Sequence, residues 1–134
     1  MANPLSAQQL MLQVSPTDYQ YKELQWHHNL RLRVRSFLRV GEMGNLVRDI
    51  LEAVCKKDDG RLYPEMLDYA MRAGIVSYYA DVELPEKIDD QYRLLYTTDL
   101  YDKVIGVANQ GQVAAVREAV RMYMELAARQ TNTG

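Results

Sequence analysis

From Ile75 to Asp102 the chain carries seven carboxylates, Asp81, Glu83, Glu86, Asp89, Asp90, Asp99 and Asp102, among five of its ten tyrosines, Tyr78, Tyr79, Tyr92, Tyr96 and Tyr101. Two carboxylates held in different environments are what general acid–base catalysis needs. The stretch contains no histidine, cysteine or glycine loop to complete such a site. Asp89 and Asp90 stand at the start of one helical pattern, Asp99 and Asp102 at the start of the next, where acids complement the helix dipole. Glu83 and Glu86 flank Pro85. The expected reading is a solvated acidic face.

Other reactive residues are sparse. His27 and His28 are adjacent, and neighbours on a strand point to opposite faces, so they do not form a natural metal pair. Cys55 is the single cysteine, falls on the apolar phase of a predicted helix and has no internal disulfide partner. Asp58-Asp59-Gly60 lacks the alternating oxygen ligands and terminal glutamate of a calcium loop and reads as a turn. No cofactor, no metal and no enzymatic activity are expected.

Positive charge collects elsewhere. Leu24, Trp26, His28, Leu30, Leu32 and Val34 occupy one parity, and Arg31, Arg33 and Arg35, continued by Arg39, the other. Period two marks a strand with one packed and one wet face, and it presents the three arginines together. They suit phosphates, an acidic protein surface or a charged strand edge that resists aggregation. A net charge of −2 disfavours a general nucleic-acid binder and leaves a local patch open. The protein-contact candidates are Trp26, Arg31, Arg33, Arg35 and Arg39 on the basic side and Glu83, Glu86, Asp89 and Asp90 on the acidic side. Partners are a structural protein, another copy of the chain or a host protein, with no membrane.

The elements that position these residues follow from periodicity. At 134 residues a single domain is expected over 1–134, with 1–20 an arm and 130–134 a frayed tail. Leu10 to Val14 form a short apolar element stopped by Ser15-Pro16-Thr17-Asp18, and they, or a partner chain, are expected to pair with the strand. Met43, Leu46, Val47, Ile50, Leu51 and Val54 share one helical face, closed by Lys56-Lys57-Asp58-Asp59-Gly60. A second helix begins near Pro64 and runs to about Tyr79, with Met66, Leu67, Ala70, Met71, Gly74, Ile75 and Tyr78 inward and Gly74 letting a neighbour approach. Asp81 to Pro85 is a connector. Ile88, Tyr92, Leu95 and Tyr96 mark a third helix. Thr98 or Asp99 caps a fourth, which carries Leu100, Tyr101, Val104, Ile105 and Val107. Val113, Val116, Ala119, Val120, Tyr123 and Leu126 mark the last. The fold class is α+β, mostly α: a short N-terminal β element, strand or hairpin, followed by a bundle of about five helices. The start of the chain lacks the basic and continuous apolar segments of a signal peptide, so an intracellular location is expected.

Tyr63-Pro64-Glu65-Met66-Leu67-Asp68-Tyr69-Ala70, Val76-Ser77-Tyr78-Tyr79-Ala80-Asp81-Val82-Glu83-Leu84-Pro85 and Leu94-Leu95-Tyr96-Thr97-Thr98-Asp99-Leu100-Tyr101-Asp102-Lys103-Val104 together resemble small proteins encoded by tailed bacteriophages and prophages of Gram-positive bacteria. The likeness covers residues 40 to 125. It implies a non-enzymatic role through protein–protein contacts in virion assembly or as a virion component, in the host cytoplasm or incorporated in the virion. The alternative is a regulatory or anti-defence inhibitor whose acidic face blocks a host protein. The arginine strand lies outside the resemblance.

Overall fold

A computed structural model describes residues 3–55 and 62–132. The chain folds as α1 (Ala7–Met11), β1 (Tyr21–Gln25), a 3-10 turn (His27–Asn29), β2 (Arg31–Arg35), α2 (Val40–Val54), a second 3-10 turn (Pro64–Met66), α3 (Leu67–Tyr79), α4 (Ile88–Thr97), α5 (Leu100–Val107) and α6 (Gln110–Asn132). The α+β, mostly helical class is as expected.

The β element is a hairpin, and this corrects the expected pairing. Tyr21 to Gln25 pair antiparallel with Arg35 to Arg31, so the alternating run folds back on its own start and the residues just before it rather than on Leu10–Val14. The alternation is broken at His28 and Asn29, whose φ values of 56° and 61° place them in the left-handed region that reverses the chain. Leu30 is consequently exposed, and Leu32 and Val34 are the residues of β2 that enter the core. The free edge of β2 is covered by Ala80, which bridges Val34, and by Asp81, whose amide donates to the Arg33 carbonyl at 2.9 Å. Ser6 caps α1 with Gln9 in a reciprocal capping box, yet no side chain of this one-turn helix is buried. The arm is fastened at its base, where Tyr19 meets Phe37 and lies beneath the Arg39 guanidinium.

The core is helical. α3 packs against α2, α4 and α5, and α6 lies along α2. Leu46, Ile50, Val54, Met71, Ile75, Val104, Val116 and Val120 are buried as their spacing requires. At Gly74 a Cβ would stand 2.8 Å from Leu46 Cδ1 and 3.1 Å from Ile50 Cγ1, so its absence sets the distance between α2 and α3. The inward tyrosine at the end of α3 is Tyr79, fully buried, whereas Tyr78 is half-buried. Ile88, Tyr92, Tyr123 and Leu126 are exposed, against expectation. α4 buries only Leu95, and α6 at 23 residues outruns the 15 of α2 by about 12 Å, leaving its last turns uncovered. The expected helix closure at Lys56–Gly60, the Asp58-Asp59-Gly60 turn and the last residues of the tail lie outside the described residues.

Candidate protein-contact surfaces

The arginines share one face of the hairpin, as period two requires, but each is already engaged. Arg31 Nη1 reaches Glu23 Oε2 at 3.1 Å and Arg33 Nη1 reaches Asp81 Oδ2 at 3.0 Å. Arg35 grips Glu42 with two hydrogen bonds of 3.2 and 2.6 Å and donates two more to the Tyr78 carbonyl. Its side chain is 14% exposed. Arg39 stacks over Tyr19 at 4.2 Å. Arg35 is thus a strut between the hairpin, α2 and α3, while Arg31 and Arg33 stay exposed on the wet face and pair with carboxylates that sequence periodicity did not assign to them. The Arg35 hydrogen bonds hold the Glu42 carboxyl below its ordinary pKa.

Trp26 is likewise spent inside the fold. Its indole Nε1 donates to Asp99 Oδ1 at 2.7 Å, and His27 Nε2 meets the same oxygen at 3.0 Å. These bonds, Trp26 first, hold the Asp99 carboxyl below its ordinary value. An Asp–His pair orients a general base when a nucleophile stands on the other ring nitrogen. Neither the neighbouring Thr98 hydroxyl, which donates to the Leu94 carbonyl, nor any other described side chain plays that part. The arrangement clips the hairpin tip to the start of α5, and Thr98, rather than Asp99, accepts from the Leu100 amide as its cap. Among the described residues no group of three or more His, Cys, Asp or Glu could hold a metal. Cys55 is half-buried at the end of α2.

The acidic side behaves differently. Glu83, Glu86, Asp89 and Asp90 are all exposed, and among the described residues none of them enters an ion pair. The tyrosines around them are held by neighbours in the fold. Tyr92 stacks on Tyr96 at 4.3 Å, the Arg72 guanidinium covers Tyr96 and Tyr101 at 4.4 and 4.7 Å, and Tyr96 Oη donates to Asp68, which also accepts from Arg72. Tyr69 Oη donates to Gln91. These are packing and polar fasteners without a nucleophile.

A further surface went unpredicted. The start of α2 and the start of α6 are joined where Gln112 bonds both the amide and carbonyl of Leu38, each at 2.9 Å, so the two helices run side by side in the same direction. Between them lies a groove of about 560 Å³ lined by Met43, Gly44, Val47, Leu51, Ala115, Ala119 and Tyr123 among others. Tyr123 at its end stands 57% exposed, and Met122 and Leu126 on the same helix stand 52 and 50% exposed. On the far flank of α6 a second groove of about 530 Å³ runs against Leu67 and Met71 of α3. The signal for the first surface was present in the sequence as a second apolar stripe, Val40, Gly44, Val47 and Leu51 on α2 and Ala115, Ala119, Met122 and Leu126 on α6, both spaced 4-3-4. It was masked because Val47, Leu51, Ala119 and Leu126 also fit a wide core-facing stripe.

No protein-family model, no curated protein and no solved structure matches this chain.

Proposed function

We propose that this chain is a non-enzymatic protein that works through protein–protein contact in phage virion assembly or as a virion component. The observation that supports contact is the α2/α6 face, where a groove ends at exposed Tyr123, with Met122 and Leu126 exposed on the same helix. An apolar surface of this kind is costly to leave in water and is typical of an interface. The phage setting rests on the resemblance of residues 40 to 125. The test is to purify particles by density gradient from a strain whose copy of the gene is intact, and from one encoding Leu126→Glu, and to probe them for the protein and for completeness. Presence in particles or assembly intermediates, with assembly failing in the variant, supports the reading. Normal particles from a strain lacking the gene, with the protein absent from every assembly fraction, would remove it.

The second reading is an inhibitor whose acidic edge occupies a basic host site. It is favoured by the exposure of Glu83, Glu86, Asp89 and Asp90 without ion pairs among the described residues. Replacing the four by Gln should then abolish the host phenotype while particle assembly proceeds.

A further inference from the structure

We draw no further inference here: the strongest candidate, the apolar groove between α2 and α6 that ends at exposed Tyr123, carries none because nothing in the structure shows what covers it.

Discussion

Tyr79 Oη donates to Gln112 Oε1 across 2.8 Å in the protein interior, and the same oxygen accepts from the Leu38 amide at 2.9 Å. With Gln112 Nε2 donating to the Leu38 carbonyl, one amide side chain ties the end of α3 and the approach to α2 to the start of α6. Gln112→Leu should therefore cost about 1–3 kcal/mol for each polar group it strands. Tyr79→Phe should cost about 0.5–1.5 kcal/mol, since Gln112 keeps its two bonds to Leu38. Urea denaturation of both variants checks the order, and a Tyr79→Phe more damaging than Gln112→Leu would refute it.

Two glycines should respond in opposite directions. Gly74→Ala introduces a Cβ 2.8 Å from Leu46 Cδ1 and should destabilise by about 1–3 kcal/mol despite better helix propensity. Gly106→Ala, with open space around its Cβ, should stabilise by about 0.5–1 kcal/mol. Thermal melts compared at one protein concentration would show it.

The arginines of β2 should separate sharply. Arg35→Met removes both side-chain donors to the Tyr78 carbonyl and leaves Glu42 only the Arg39 amide, and should cost about 1–3 kcal/mol, while Arg31→Met, an exposed pair, should cost about 0–1 kcal/mol. The stabilisation from Glu42, whose folded-state pKa is lowered, is present above the ordinary glutamate range and lost as pH falls through the folded value. Arg35→Met should flatten that acidic limb of the stability profile, and an unchanged limb would show the pair to be idle.

Alkali should act through the tyrosines. Burial, assisted by a hydrogen bond to Asp49 for Tyr78 and to Asp68 for Tyr96, pushes Tyr78, Tyr79 and Tyr96 up to about 12. Their contribution is complete below the ordinary tyrosine value of 10.0 and is lost as pH climbs towards 12, because the unfolded chain releases protons that the folded one retains. A phenolate absorbance titration followed alongside circular dichroism should show a late-ionising group that appears together with loss of helix. Ionisation of all ten tyrosines with the helices intact would contradict it.

Much of the helical layout was legible because core side chains recur at 3.6-residue spacing: Leu46, Ile50 and Val54 on α2 and Met71 and Ile75 on α3 follow directly. Gly74 likewise announced a close helix contact. Partnerships across long separations were not legible. Nothing local says that Arg33 meets Asp81, that Arg35 meets Glu42 or that Trp26 meets Asp99, since these depend on where the hairpin docks. The hairpin itself was obscured because His28 and Asn29, without the glycine of common tight turns, adopt positive φ inside an alternating run. Exposure along α6 was misread because amphipathic spacing reports a stripe but not how far the neighbouring helix extends.

The bridge between Val34 and Ala80 also sets an order of events during synthesis. β2 faces the ribosome's exit long before its second neighbour exists, so the hairpin emerges as an isolated two-stranded piece of the kind that is marginal in water. Only when α3 and the first residues after it have left the ribosome can Ala80 and Asp81 close the remaining edge of β2 and Arg35 reach the Tyr78 carbonyl. At about 5–20 residues per second that wait lasts seconds, during which a strand rich in arginine remains exposed. The alternation of arginine with Leu32 and Val34 keeps the nascent edge charged through that interval, and so guards the growing chain against pairing with its neighbours on the same message.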